Sequence, residues 1–178
     1  MRNLKIFLLL LVLGGMLFYN SNWFQSIFLP ERFYKDIFNA PFDVTKNGES
    51  ISIPLKYKYK TCYALEIAVP DKDLFHNSEP GNGLLKYSFV SNGRVIAEGL
   101  TYPPNSLHMA LYRGITSIII LVFDLPFNSE GDSLTLDLEV IEPMRFLEPF
   151  SGKIHCKVSP SYDAKLGKCH GESTRIVH

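Results

Sequence analysis

Apolar and polar positions along this chain fall into two regimes. The first is a continuous apolar run from Ile6 to Tyr19, 14 residues without a charge, entered through Arg2 and Lys5. The second, from about Phe38 onward, alternates apolar and polar residues. The run predicts a single helix. At about 1.5 Å of rise per residue it extends roughly 21 Å, against a hydrocarbon core of about 30 Å. That length suits the apolar region of a signal peptide. The residues that follow, Tyr19-Asn20-Ser21-Asn22-Trp23-Phe24, offer a signal peptidase no suitably spaced small side chains, and Gly14-Gly15 lies inside the run. Trp23 and Phe24 suit a membrane interface, and Lys5 can snorkel at the other end. We therefore read residues 1–24 as an uncleaved signal anchor, single-pass in a bacterial inner membrane. A cleaved signal and a released periplasmic form are the alternative. The positive-inside rule keeps Arg2 and Lys5 in the cytoplasm and places Gln25 to His178 outside. No Cys follows the run to make a lipoprotein site.

Residues 25–37 read as a connector, ended as a helix by Pro30. Phe42 and Val44 then alternate with Asp43 and Thr45 ahead of the turn Lys46-Asn47-Gly48-Glu49. Ile51, Ile53, Leu55, Tyr57 and Tyr59 predict the inner face of a strand, with Ser52, Pro54, Lys56, Lys58 and Lys60 in water. The lysines guard such a strand against edge pairing. Tyr63, Leu65, Ile67 and Val69 continue the alternation after a turn near Lys60-Thr61 that no Gly marks. A loop over 70–83 precedes strands at 84–90 and 94–99, joined by the hairpin signal Ser91-Asn92-Gly93. A second loop, Thr101 to Ser106, contains Pro103-Pro104. Ile115 to Leu125, rich in β-branched residues, reads as a central strand buried on both sides. A turn over 128–132 leads to alternation at 134–141, and residues 151–178 read as a Cys-containing tail with one short strand at 153–158. About seven strands without a further helix predict an all-β fold. Its expected form is an antiparallel two-sheet, immunoglobulin-like sandwich over residues 38–150.

Charge changes the picture of possible partners. The formal net charge is zero but uneven: residues 31–60 carry +2, 61–150 carry −7 and 151–178 carry +3. A nucleic-acid binder normally shows a strong basic excess, so that class is set aside. Three cysteines, Cys62, Cys156 and Cys169, predict one disulfide and one spare thiol in an oxidising compartment. Cys156 and Cys169 bracket a polar step and are the expected pair, a closure of about 3 kcal/mol by chain entropy. His155-Cys156 and Cys169-His170 also form a mirrored set of zinc-type donors. Adjacent residues of an extended chain point to opposite sides, which favours the disulfide.

Catalytic motifs are missing from the sequence: no Gly-x-Ser-x-Gly elbow, no phosphate-binding glycine loop, no His-Glu-x-x-His. No cofactor or metal is expected. Asp137 and Glu139 belong to a solvated strand face. The segments best placed to contact a protein partner are the polar loops, so the candidate binding residues are Asp71, Asp73, His76, Tyr102, Pro103, Pro104 and His108. Tyr57, Tyr59, Tyr63, Tyr87, Tyr102, Tyr112 and Tyr162 read first as sheet packing and second as a recognition surface.

The stretch from Phe42-Asp43-Val44-Thr45-Lys46 through the 51–59 and 62–69 strands resembles a bacterial family of small cell-envelope β-sandwich domains. So does Gly114-Ile115-Thr116-Ser117-Ile118 with the run from Ser133 to Pro143. Members carry an N-terminal signal or anchor, and some accompany secreted antibacterial toxins as immunity proteins. The resemblance covers roughly residues 38–148 and supplies no catalytic residues. It implies a non-enzymatic, membrane-tethered periplasmic binding protein, most concretely one that neutralises a periplasmic toxin. An accessory subunit of an envelope or secretion assembly is the second expectation. An envelope hydrolase using His76 and His108 is the third.

Overall fold

The computed structural model describes residues 2–74, 81–104, 109–125, 133–162, 164 and 169. Three helices come first: α1 (Arg2–Tyr19), α2 (Asn22–Phe28) and α3 (Pro30–Phe33). Ser21 caps α2 by accepting the Phe24 N–H at 3.2 Å, and Pro30 both ends α2 and opens α3. The connector is thus helical, contrary to expectation, because its cap and its proline bracket a short run that packs on the domain. Among the described residues no helix is long and apolar enough to cross a membrane.

The strands follow in chain order. They are β1 (Phe38–Pro41), β2 (Ser50–Pro54), β3 (Thr61–Val69), β4 (Leu84–Ser91) and β5 (Arg94–Leu100), then β6 (Met109–Tyr112), β7 (Ile115–Leu125), β8 (Leu134–Glu142) and β9 (His155–Pro160). A 3-10 helix, Arg145–Phe150, lies between β8 and β9. One sheet has the order β1-β9-β3-β7-β6 and the other β2-β8-β4-β5. Every pairing is antiparallel. The two-sheet antiparallel sandwich is therefore present, but its order is not immunoglobulin-like. Within a sheet only β4–β5 and β6–β7 join consecutive strands, and the other connections cross between sheets. With β6 set aside, the eight remaining strands have the order of a jelly roll. Alternation reports which face of a strand is buried, not which neighbour it pairs with, so both orders look alike in sequence.

Inner faces match the alternating pattern closely. Tyr63, Leu65, Ile67 and Val69 of β3 meet Leu134, Leu136, Leu138 and Val140 of β8 in one core. β3 is buried on most of its outer face as well, whereas the outer face of β7 is only partly covered: Ser117 is buried, Ile119 and Val122 are half-buried, and Ile115 and Asp124 are exposed, short of the burial on both sides that its composition predicts. β2 stops at Pro54, whose ring leaves no N–H for the ladder, and the Leu55 N–H makes a last bond to the Leu134 carbonyl at 2.9 Å. Residues 51–60 nevertheless keep the predicted alternation, with Leu55 buried, Tyr57 and Tyr59 half-buried and all three lysines exposed. Tyr63 makes the unmarked turn: its hydroxyl donates to the Tyr59 carbonyl at 3.0 Å and accepts the Tyr59 N–H at 3.3 Å. Burial pushes that phenol above its ordinary pKa.

β9 is the largest departure. It lies between β1 and β3, so residues 155–160 complete the sheet rather than trail from it. Cys156 points into the main core and is a free thiol, while Cys169 bonds to Cys62. The expected Cys156–Cys169 pair does not form, because the inward alternation of Cys156, Val158 and Pro160 turns this sulfur away from the surface where Cys169 sits.

At the β1–β2 connection, Asp43 ends the apolar alternation with a side-chain turn. Its Oδ1 accepts the Thr45 hydroxyl at 2.6 Å and the Thr45 N–H at 3.2 Å. Oδ2 accepts the Ser151 hydroxyl at 2.9 Å and pairs with Lys46 Nζ at 3.0 Å. The Thr45 hydroxyl leads in holding this carboxyl far below the usual carboxylate range, against the opposing penalty of partial burial. A depressed folded-state pKa stabilises above the unfolded value, near pH 4, and that stability is lost as pH falls toward the folded value. Asp43→Ala is therefore expected to cost about 1.5–3 kcal/mol at neutral pH. The deficit should shrink steadily below about pH 4 in denaturant titrations. A constant deficit down to strongly acid pH would show that the charge is not involved.

Candidate functional site

The sandwich has two dissimilar ends. At one, α2 and α3 sit over the start of β3. Phe33 of α3 is fully buried against Tyr59, Cys62, Val122 and Ala164, with ring centroids of Phe33 and Tyr59 4.7 Å apart. The Cys62–Cys169 bond closes the C-terminal segment over the same spot, and the Asp124 carboxylate lies 2.8 Å from the Cys169 sulfur and 3.6 Å from the Cys62 sulfur. Cys62, Asp124 and Cys169 are one group of potential metal donors among the described residues. The disulfide engages both sulfurs, so this arrangement works as a staple. The mirrored zinc set cannot assemble either: Cys156 lies in the core and His155 on the opposite face of β9, while His170 is outside the described residues.

The other end lies roughly 25 Å away along β3 at about 3.3 Å per residue. A cleft of about 300 Å³ opens there between β1, β9 and the exit of β3, lined by Asn39, Ala68, Pro70, Lys153, His155 and Lys157. Period-two alternation places His155, Lys157 and Ser159 on the outer face of the sheet. His155 Nδ1 is 2.8 Å from Asn39 Oδ1. Lys157 Nζ reaches Asp36 Oδ1 at 3.4 Å and Glu66 Oε2 at 3.9 Å, and the Ser159 hydroxyl donates to Glu66 Oε1 at 3.1 Å. Small buried residues, Ala64, Ala68, Ser117 and Ser159, floor this face. The groups suit hydrogen bonding to a polar partner, and Lys157 is neutralised by Asp36 and Glu66. A second opening of about 420 Å³ at the same end is lined by Asn82, Glu142, Pro143, Arg145 and Phe146.

Of the loop residues singled out from sequence, Asp71, Asp73, Tyr102, Pro103 and Pro104 are among the described residues. Asp71 Oδ1 accepts the Asp73 N–H at 2.8 Å, and the Asp71 carbonyl accepts the Thr116 hydroxyl at 2.5 Å. This aspartate organises its own turn at the end of β3. The Tyr102 N–H donates to the Ile120 carbonyl at 2.8 Å, where the chain crosses from one sheet to the other. Pro103 is exposed and Pro104 buried beside it. His76 and His108 lie outside the described residues, as does the turn over 128–132. His155 and Lys157 fall on the short strand expected at 153–158, but that strand was placed outside the sandwich, so its outer face did not count as a site. The alternation of His155, Lys157 and Ser159 with Cys156, Val158 and Pro160 was the available signal.

The chain matches no protein-family model and no curated protein sequence. A crystal structure of a protein from Sulfurospirillum deleyianum is similar to it, at 12% sequence identity and a TM-score of 0.48, covering 70% of this chain and 97% of that one.

Proposed function

We propose that this chain is a membrane-tethered binding protein without catalysis, held in a bacterial inner membrane by α1 with its sandwich in the periplasm. One observation carries the tether: the N-terminal helices are apolar where they face outward. Leu9, Leu10, Leu11, Val12 and Leu13 are consecutive and all exposed, so every side of α1 is apolar at that level. A helix apolar all round belongs in a core or in lipid. α2 is inside out: Gln25 and Ser26 are 4% and 6% exposed against the domain, whereas Trp23 and Phe28 are 49% and 57% exposed. Gln25 is held there by the Tyr19 carbonyl at 2.8 Å and the Tyr59 hydroxyl at 3.4 Å. The apolar run of α1 is short for a bilayer. Lys5 snorkelling and an interfacial α2 would take up the mismatch.

The binding reading is supported by the cleft at the end away from the helices, where His155 is paired with Asn39 and Lys157 with Asp36 and Glu66 rather than arranged as nucleophile and base. Toxin neutralisation is its most concrete form and comes from the resemblance to small envelope sandwich domains. Membranes washed with alkaline carbonate should retain the full chain, and removal of residues 2–19 should release it. Detergent-solubilised full chain should then recover one stoichiometric protein partner, a secreted toxin under this reading. Recovery of the chain alone, with measurable hydrolytic turnover, would sink it. Co-purification with a large envelope assembly would point to the accessory-subunit role instead.

A further inference from the structure

We propose that a basic rim beside α2, built from Lys56, Lys58 and Lys60 with Arg32 and Lys35, seats on the anionic headgroups of the bilayer that holds α1. The inference rests on the tether reading and names the surface on which the domain rests. Geometry joins the rim to the lipid-facing helix. The Asn22 side-chain amide donates to the Lys60 carbonyl at 2.9 Å, and the Tyr59 hydroxyl reaches Gln25 Oε1 at 3.4 Å. α2 presents Trp23, Ile27 and Phe28 outward from that junction. Along the adjoining segment Leu55, Tyr57 and Tyr59 turn inward, which leaves Lys56, Lys58 and Lys60 exposed in alternation. Lys58 Nζ stands 5.3 Å from the centre of the Tyr59 ring.

Edge protection does not account for these lysines, because β2 ends at Pro54 and the lysines lie beyond the ladder. Arg32 and Lys35 are exposed beside Phe33, which packs on Tyr59. Glu31 is the one carboxylate interleaved with them between residues 30 and 35. No ion pair within the described residues engages any of these five basic side chains. Unpaired basic charge next to an aromatic, outward-facing helix is complementary to an anionic lipid surface, where each such residue contributes about fivefold to binding.

Trp23 is the sole tryptophan, so its fluorescence reads partitioning of the full chain directly. In phosphatidylcholine vesicles the chain should partition through α1 and α2. Including roughly 30% phosphatidylglycerol should raise the partition coefficient, and K56Q/K58Q/K60Q should remove on the order of a hundredfold of that gain. The triple variant should leave neutral-vesicle partitioning unchanged, since all three positions are exposed. Salt at about 0.5 M should abolish the gain in the unsubstituted chain. A gain that survives the triple substitution overturns the rim while leaving the tether standing. Failure to partition into neutral vesicles overturns the tether reading itself.

Discussion

Replacing Cys62 and Cys169 together by alanine is expected to lower the unfolding free energy by about 4–5 kcal/mol, the largest stability effect anticipated for this chain. The two residues are 107 apart in sequence. Cross-linking a loop of about 100 residues removes some 4.7 kcal/mol of chain entropy from the unfolded state. For a chain of this size each kcal/mol corresponds to roughly 2–4 °C, so the melting temperature should fall by about 10–20 °C. Reductant should produce the same loss in the unsubstituted protein and none in the double variant. Cys156 supplies an internal control. It is fully buried, and burial first, then the Glu66 charge, pushes its thiol far above the ordinary range. An alkylating reagent should therefore label no cysteine in the native protein, Cys156 alone after denaturation, and all three after denaturation with reduction. An unchanged denaturation midpoint in the double variant would contradict the staple.

The effect has a local component tied to the tether. Cys62, Cys169 and Ala164 surround Phe33, and Tyr34 and Tyr59 pack at the margin of the same cluster. Phe33 is the residue by which the helical segment enters the domain. Losing the disulfide frees the C-terminal segment from this cluster and weakens the seat of α3, so the connection between α1 and the sandwich should loosen before the core does. A disulfide of this kind persists in an oxidising compartment, which agrees with the proposed placement outside the cytoplasm.

Much of this was readable from residue patterns. Alternation identified the inner face of β3, of β8 and of the 51–59 segment, and Ser91-Asn92-Gly93 marked a hairpin whose Asn92 and Gly93 both take positive φ, at 50° and 76°. A like pair, Arg113 at 50° and Gly114 at 79°, turns β6 into β7 and passed unnoticed because arginine is an unusual residue there. Strand order was not legible: a jelly roll and an immunoglobulin sandwich bury the same alternating faces and differ in which distant strands pair. The alternation read from about Phe38 marks the start of β1, and it runs on to Phe42 and Val44 because both are buried although the ladder ends at Pro41. Cysteine pairing failed for the same long-range reason. Proximity in sequence favoured Cys156 with Cys169, whereas β9 carries Cys156 into the core and leaves Cys62 of β3 beneath Cys169. The polar cleft was lost with β9, since a strand read as tail can line nothing.

Phe123→Ala is expected to approach the disulfide in cost, at about 3–5 kcal/mol, through cavity formation rather than chain entropy. Phe123 is fully buried on β7, and its ring meets Phe89 of β4 edge-on at 5.0 Å and lies 6.3 Å from Tyr63 of β3. β7 and β3 belong to one sheet and β4 to the other, so this side chain spans the interface between them. Its neighbours are strand-bound and cannot collapse into the space, which places the cost toward the upper part of the range for a deleted ring. Phe123→Leu retains most of the volume and should cost about 1–2 kcal/mol. Equilibrium denaturation separates this mechanism from the staple, because the Phe123→Ala deficit should persist unchanged in reductant. Phe123 adjoins Asp124, the ladder partner of Cys62, but belongs to the main core rather than to the cluster around the disulfide, so the triple variant should be additive to within about 0.5 kcal/mol. A Phe123→Ala cost below about 1 kcal/mol would mean that the aliphatic layer of β3 and β8 joins the sheets without the aromatic bridge.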